Sequence, residues 1–165
     1  MILYYGHSGM SKGIDYLVEA IPQILQQHPD SMLIFNLIPA KRDKKMKKRI
    51  KAIGKSEQIH IFSEQPQSAL RELVATADLI IAPSLAEGFG SVHSEACAMG
   101  KVLLTTQIAA IPEVVSGPVK LIPPRSSEAI VQGIKEIRIG KVKSTQTKSF
   151  VREKSVKKIE KLYQC

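Results

Sequence analysis

Short apolar runs alternate along the chain with longer stretches in which apolar residues recur at helical spacing. Runs of this kind, rich in leucine, isoleucine and valine and bounded by turn residues, are typical of strands that are buried on both faces of a sheet. We therefore predict six strands, at residues 2–5, 32–37, 59–62, 79–82, 102–105 and 119–122.

The stretches between the predicted strands carry the apolar spacing of amphipathic helices. Ile14, Leu17, Val18, Ile21 and Leu25 form the clearest stripe, because residues three and four apart lie on one face of a helix. Further helices are predicted at residues 46–53, 66–74, 91–99, 128–139 and 156–163. The segment 138–149, rich in lysine, serine and threonine, is predicted to be a mobile connection to the last helix.

The alternation of strands and helices with short links predicts an α/β fold. We expect a three-layer αβα domain with a mostly parallel six-stranded sheet. Right-handed crossovers place the loops that follow the strands at one edge of such a sheet, and ligands bind at that edge. The loops after the first and fourth predicted strands therefore belong to the edge where chemistry is expected.

The size and composition are those of a globular domain. The chain has 165 residues, which fits one domain spanning residues 1–165 with a substantial core. It contains no apolar run approaching the roughly 18 residues of a membrane span. Its two cysteines, Cys97 and Cys165, have no metal-ligand spacing and form no disulfide framework. These features predict a cytoplasmic protein.

The formal net charge of +9 is the unusual feature of the composition. Much of it lies in residues 41–51, KRDKKMKKRIK. Such an excess favours anionic partners, namely nucleotide phosphates, acidic lipid head groups or nucleic acid. The basic run lacks interleaved aromatic residues that would stack on bases, so nucleic acid is not expected. The run is either a solvated helix face or a peripheral contact with an anionic membrane, at the inner face of the cell membrane.

The loop after the first predicted strand has the features of a phosphate-binding turn. It reads GHSGMSKG, from Gly6 to Gly13, and includes His7 and Lys12. Glycine lets the backbone approach a ligand closely, and a helix start presents free N–H groups at the positive end of its dipole. The loop matches neither of the common glycine-rich nucleotide motifs, so a tight turn with a solvated lysine is the alternative.

The loop after the fourth predicted strand repeats this arrangement. Gly88 and Gly90 flank Phe89, and Ser91 begins a predicted helix. Here too the backbone N–H groups are expected to face an anion.

Two carboxylates bracket this second loop. Glu87 precedes the glycines and Glu95 lies in the early turns of the helix. A carboxylate can accept two hydrogen bonds from a vicinal diol, such as that of a ribose or a hexose. The alternative is a capped helix that carries a solvated glutamate.

Several spaced motifs together resemble one enzyme family. Residues 83–90 (PSLAEGFG) and 95–100 (EACAMG) are similar to the Glu–seven residues–Glu signature of the group 1 family (family 4) of retaining GT-B glycosyltransferases. Residues 6–13 resemble the first loop of that family in register, and residues 111–115 (IPEVV) resemble its next element. The resemblance covers residues 2–123.

The resemblance implies half of an enzyme. GT-B enzymes have two Rossmann-like domains, of which the amino-terminal one mainly holds the acceptor and the carboxyl-terminal one holds the nucleotide-sugar donor. This chain resembles the donor-binding domain. The acceptor-binding domain is expected to be missing from it, and the isolated chain is expected to be inactive.

The resemblance also implies residue roles. Lys12 would hold the diphosphate, Glu87 the donor sugar and Glu95 the ribose, and the first two are the expected catalytic residues. The other expected donor-binding residues are Gly6, His7, Gly13, Phe62, Gly88, Phe89, Gly90 and Ser91. The expected ligand is a nucleotide-diphosphate sugar without a cofactor, and the lack of a DxD motif predicts that no metal is needed.

One position departs from the family pattern. Family members usually carry arginine five positions before the lysine, where this chain has His7. A neutral imidazole offers less charge to a leaving diphosphate. A nucleotide-sugar-binding module without transferase activity is therefore the alternative. A hydrolase that uses Glu87 and Glu95 as acid and nucleophile is disfavoured, because the glycine-bracketed helix start between them suits a phosphate.

Overall fold

One sheet of seven strands forms the centre of the computed structural model, which describes residues 1–148 and 150–163. The strands lie in the order β3-β2-β1-β4-β5-β6-β7 and are parallel except for the pair β6 and β7. In chain order they are β1 (Ile2–His7), β2 (Leu33–Ile38), β3 (Ile59–Ser63), β4 (Leu79–Ala82), β5 (Leu103–Thr106), β6 (Gly117–Ile122) and β7 (Lys143–Thr145).

Helices connect these strands, and every predicted helix is present. They are α1 (Ile14–Gln27), α2 (Asp43–Lys51), α3 (Gln67–Thr76), α4 (Ser91–Ala98), α5 (Ile111–Val114), α6 (Ser127–Arg138) and α7 (Arg152–Leu162). The short helix α5 was not predicted, since four residues are too few to show a helical period. A 3-10 turn, Met10–Lys12, precedes α1.

The helices cover both faces of the sheet, as β1 illustrates. Ile2 and Tyr4 pack in a core cluster with α1, α2 and α6. Leu3 and Tyr5 point the other way and pack with α3 and α4. Successive side chains of a strand alternate between faces, so the apolar run of β1 supplies both cores. The predicted three-layer α/β architecture is confirmed.

The prediction of six strands was wrong by one. β7 pairs antiparallel with β6, with Val119 opposite Lys143 and Gly117 opposite Thr145. It lies within the segment that we expected to be a mobile connection, whose first residue also ends α6. All three residues of β7 are exposed at the sheet edge, so no apolar residue marked the strand in the sequence.

The last helix carries its predicted apolar stripe on the outside. Val156, Ile159, Leu162 and Tyr163 are 42–86% exposed. Within residues 1–148 and 150–163, no helix is long and apolar enough to cross a bilayer.

The sheet order creates a crevice between β1 and β4. The chain runs outward from β1 to β2 and β3, then returns to β4 on the other side of β1. Ligands of open α/β sheets bind at the carboxyl ends of the strands where the order reverses in this way. The loops that follow β1 and β4 are the two loops singled out in the sequence.

Candidate functional site

The loops that follow β1 and β4 are in direct contact. The backbone N–H groups of Leu85 and Ala86 donate to the Ser11 carbonyl, at 2.6 and 3.2 Å. Gly13 has φ of 62°, and a Cβ there would lie 1.9 Å from the Pro83 carbonyl oxygen. A glycine is therefore required at position 13, both for the left-handed backbone and for the approach of the second loop.

Lys12 and Glu87 form an ion pair where the two loops meet. The Lys12 Nζ atom donates to Glu87 Oε1 at 2.5 Å, and the Ser84 hydroxyl donates to the same oxygen at 2.8 Å. Burial of the Glu87 carboxyl opposes its ionisation, but these two hydrogen bonds together with the nearby positive charge of Lys12 hold its pKa below the usual range. Glu87 is thus a carboxylate whose present partner is the lysine expected at the diphosphate.

The β1–α1 loop is internally bonded. The Nδ1 atom of His7 accepts the Gly9 N–H at 3.0 Å, and the N–H groups of Lys12 and Gly13 donate to Gly9 and Met10 carbonyls. These three N–H groups are therefore occupied within the loop. The first-turn N–H groups of α1 itself, at Ile14 and Asp15, are those that a helix leaves without an internal partner, so an anion at this helix start stays a prediction. Gly6 has φ of 141°, a conformation that favours glycine.

The start of α4 resembles the start of α1, since each helix follows a left-handed glycine and has no side-chain cap. Gly90 has φ of 84° and precedes the helix, and no side chain caps α4. The first-turn N–H groups, at Ser91 and Val92, are those that a helix leaves without an internal partner. An anion at this end of α4, expected from the sequence, stays a prediction that the uncapped helix start allows.

The two residues before Gly90, namely Gly88 and Phe89, differ in their packing contacts. The ring of Phe89 stands edge-on to that of Phe150, with centroids 5.2 Å apart. A Cβ at Gly88 would meet no atom within 4 Å. Packing in this structure therefore does not require glycine at position 88.

Glu95 lies at the same edge of the sheet, on α4. It is exposed and stands beside Tyr5, whose hydroxyl donates to the Val92 carbonyl at 3.0 Å. Burial and the Glu95 carboxylate both raise the pKa of Tyr5 above its usual range. Glu95 also lines a cavity of about 410 Å³ together with Phe89 and Lys148.

Phe62 is placed further from this group. It is near the carboxyl end of β3, is 40% exposed, and lines a separate cavity of about 340 Å³ with Gln65 and Leu73. β2 lies between β3 and β1, so Phe62 is on the order of 10 Å from β1 across the sheet. Phe62 thus lies at the same edge of the sheet as the other expected residues, but away from the contact between the loops that follow β1 and β4.

His93, on α4, makes contacts that the sequence did not reveal. Its ring is fully buried, and its Nε2 atom lies 2.8 Å from Thr105 Oγ1. The Thr105 hydroxyl in turn donates to the Ala82 carbonyl at 2.8 Å. A single histidine in a helix gives no sequence signal for such a contact, because its partners lie on β4 and β5.

Cysteine and metal chemistry have no evident place in the site. Cys97 is buried, and its Sγ atom accepts the Ser116 N–H at 3.3 Å. Cys165 lies outside the described residues. Within residues 1–148 and 150–163, no three histidine, cysteine, aspartate or glutamate side chains are grouped as metal ligands. That the reaction needs neither metal nor cofactor stays a prediction.

Comparison with known proteins assigns the family. The family model for glycosyl transferases group 1 matches residues 1–154. The chain is 26% identical over 153 residues, 91% of its length, to the phosphatidylinositol N-acetylglucosaminyltransferase GPI3 subunit of Saccharomyces cerevisiae, and spans 33% of that protein. It thus spans about a quarter to a third of the length of the curated relatives it matches.

Solved structures agree with this assignment at the level of fold. The C-terminal domain of the group 1 glycosyl transferase LpcC from Francisella tularensis has a TM-score of 0.73 at 24% identity, covering 85% of this chain and 76% of that one. Anabaena HepE in complex with UDP has a TM-score of 0.69 at 20% identity, covering 84% and 39%. The Rossmann-like fold expected for half of a GT-B enzyme is confirmed. The chain belongs to the group 1 family of glycosyl transferases.

Proposed function

We propose that this chain is the donor-binding domain of a retaining glycosyltransferase. It binds a nucleotide-diphosphate sugar, and the sugar passes to a glycan, lipid or small-molecule acceptor held by a second domain. The observation that carries the proposal is the contact between the two loops, which joins Lys12 to Glu87 beside the open start of α4. The shared fold of HepE, solved with UDP, supports a nucleotide at this edge.

The ion pair of Lys12 and Glu87 gives the site a way to exchange partners. An incoming diphosphate offers Lys12 a second charge-assisted contact and takes the first-turn N–H groups of α4. Glu87 is then free to accept hydrogen bonds from the donor sugar, while Ser84 keeps one of its oxygens satisfied. One binding event thus supplies both the phosphate contact and the sugar contact.

Glu95 suits the ribose of the donor. Its carboxylate is exposed at the mouth of a cavity, and two hydroxyls of a diol can share its oxygens. The Tyr5 phenol beside it is anchored to the Val92 carbonyl, so Glu95 extends from a fixed part of α4.

The proposed transfer breaks the bond between the anomeric carbon and the diphosphate oxygen. Positive charge develops on the sugar ring and negative charge on the departing diphosphate. Lys12 and the start of α4 stabilise that negative charge, and loss of one such group typically lowers the rate about 100- to 1000-fold. No step requires the chain to supply a covalent nucleophile.

The sharpest test is a calorimetric titration of the 165-residue chain with UDP-, GDP- and ADP-glucose. We expect one of them to bind, and Lys12→Ala to weaken binding at least about tenfold, because a charged hydrogen bond is worth roughly 1.5–3 kcal/mol. Lys55→Ala is the matched control: it removes the same charge from an exposed position beyond α2. Failure of all three ligands to bind, or equal losses in the two variants, would refute the proposal.

One observation favours a binding module without transfer as the second candidate. The Nδ1 atom of His7 accepts the Gly9 N–H, so it carries no proton in this arrangement and the ring adds no charge to the diphosphate site. Joining the chain to its native upstream domain and assaying sugar transfer decides between the two. Binding without turnover would favour the module.

The basic run supports an anionic membrane as a further proposed partner. Arg42 and Arg49 of this run turn inward and pair with Asp15 on α1. The exposed remainder of the run consists of lysines: Lys41, Lys44, Lys45, Lys48 and Lys51. A one-signed surface of this kind attracts acidic head groups, which fits a lipid-linked acceptor.

A further inference from the structure

His93 is held at one ring nitrogen and left without a partner at the other. Because the Thr105 hydroxyl donates its proton to the Ala82 carbonyl, its oxygen can only accept from the ring, so the Nε2 atom of His93 carries a proton. The Nδ1 atom is fully buried and has no hydrogen-bond partner. In a neutral ring this atom is a bare acceptor.

The unpartnered nitrogen faces the start of α4. A Cβ on Gly90 would lie 2.6 Å from His93 Nδ1, so only the missing side chain of Gly90 makes room for the ring. Gly90 has a left-handed backbone and immediately precedes the start of α4, where the proposed diphosphate site lies. The ring of His93 therefore lies directly behind that site.

The surroundings of the ring are balanced between its two charge states. Burial lowers the pKa of His93 most strongly, and the charge of Lys12 acts in the same direction. The Glu87 carboxylate and the carbonyls of Ala82 and Gly90 favour the protonated ring. These two carbonyls can accept from an imidazolium, while burial keeps the ring neutral in the free chain.

We propose that binding of the donor's diphosphate at the start of α4 protonates His93. The proton comes from solvent and adds to Nδ1, and no bond of the donor is made or broken in this step. A single negative charge about 6 Å away changes a protonation equilibrium on the order of 100-fold at an effective dielectric constant of about 20. The imidazolium then adds a buried positive charge behind the departing diphosphate. This inference rests on the proposed function.

The inference has a signature that a merely structural histidine lacks, namely uptake of a proton on binding. Because the ligand favours the protonated ring, affinity increases as the pH falls between the bound and free pKa values of His93 and is independent of pH outside that window. A histidine that only packs behind Gly90 would leave affinity independent of its own titration.

Calorimetry of UDP-glucose binding in buffers of different ionisation enthalpy measures the proton uptake directly. UDP-glucose is a suitable probe because it lacks the phosphate monoester group whose second pKa is about 6. GDP- and ADP-glucose serve as probes if one of them is the sugar nucleotide that binds. We expect uptake of a large fraction of one proton near neutral pH in the wild-type chain, and its loss in His93→Gln.

Two other histidines provide controls. His28 also has an unpartnered buried nitrogen and a pKa lowered by burial, but it ends α1 at the opposite edge of the sheet. His28→Gln is expected to keep the full uptake. His7→Gln tests the other histidine of the site, and uptake that is lost there but retained in His93→Gln would overturn the inference.

A spectroscopic measurement on the wild-type chain avoids any question of folding in a variant. The Cε1–H resonance of His93 is expected to titrate at higher pH in the presence of the sugar nucleotide than in its absence. An unchanged titration, or binding without proton uptake, refutes the role of His93 and leaves the donor-binding proposal standing. Failure of every sugar nucleotide to bind refutes both.

Discussion

Replacement of Gly13 by alanine tests whether the contact between the two loops builds the site. The new Cβ would lie 1.9 Å from the Pro83 carbonyl oxygen, whereas a close carbon–oxygen contact is about 3.3 Å. The loops must therefore separate by more than about 1 Å, which strains or breaks the two bonds to the Ser11 carbonyl. Each such bond contributes about 0.5–1.5 kcal/mol.

The left-handed backbone at Gly13 adds a second cost. A residue with a Cβ in this region loses about 1–2 kcal/mol relative to glycine. With the two backbone bonds, we expect Gly13→Ala to lower the free energy of unfolding by about 2–5 kcal/mol.

Gly54→Ala is the matched control. Gly54 has φ of 74°, close to the 62° of Gly13, but a Cβ there would meet no atom within 4 Å. It should therefore lose only the backbone term of about 1–2 kcal/mol. Urea denaturation followed by circular dichroism measures both variants, and equal losses would show that the loop contact contributes nothing to stability.

Three further predictions follow from the same geometry. Glu87→Gln should lower the free energy of unfolding by about 1–3 kcal/mol at neutral pH, because Lys12 is left without its carboxylate. In the wild-type chain this contribution is present above the unfolded pKa of about 4.3 and is lost as the pH falls through the lowered folded pKa. The unfolding free energies of the two chains should therefore converge in acid. Phe150→Ala should lower stability by roughly 0.5–1.5 kcal/mol through loss of the edge-on contact with Phe89, and an unchanged urea midpoint would contradict this. Replacing Lys44, Lys45 and Lys48 by glutamine should abolish sedimentation with vesicles rich in phosphatidylserine while leaving sugar-nucleotide binding intact, and undiminished sedimentation would exclude α2 as the membrane contact.

The parts of the fold that the sequence predicted are those with a local signal. Apolar runs marked six strands, and stripes such as that of Ile14, Leu17 and Ile21 marked the helices. The glycines of the two loops marked the edge of the sheet where the crevice lies. β7 escaped because its three residues are polar and are ordered by the edge of β6 rather than by burial.

The contacts of the site depend on residues that are distant in sequence. Lys12 and Glu87 are 75 positions apart, and their motifs indicated a common edge of the sheet but not an ion pair. The use of the Gly9, Lys12 and Gly13 N–H groups within the first loop depends on a 3-10 turn that has no sequence pattern of its own. The His93 contact required the register of two neighbouring strands, which a single sequence does not supply.

The central strand β1 is bonded to the start of α4 through a tyrosine side chain. Tyr4 and Tyr5 are adjacent in β1 and therefore point to opposite faces of the sheet. The Tyr4 hydroxyl donates to the His7 carbonyl, at the end of β1 itself, at 2.9 Å. The Tyr5 hydroxyl donates to the Val92 carbonyl, in the first turn of α4, at 3.0 Å. A shift of β1 by one residue would turn Tyr5 to the opposite face of the sheet and remove its bond to Val92, so the register of this central strand fixes where the proposed anion-binding start of α4 lies against β1.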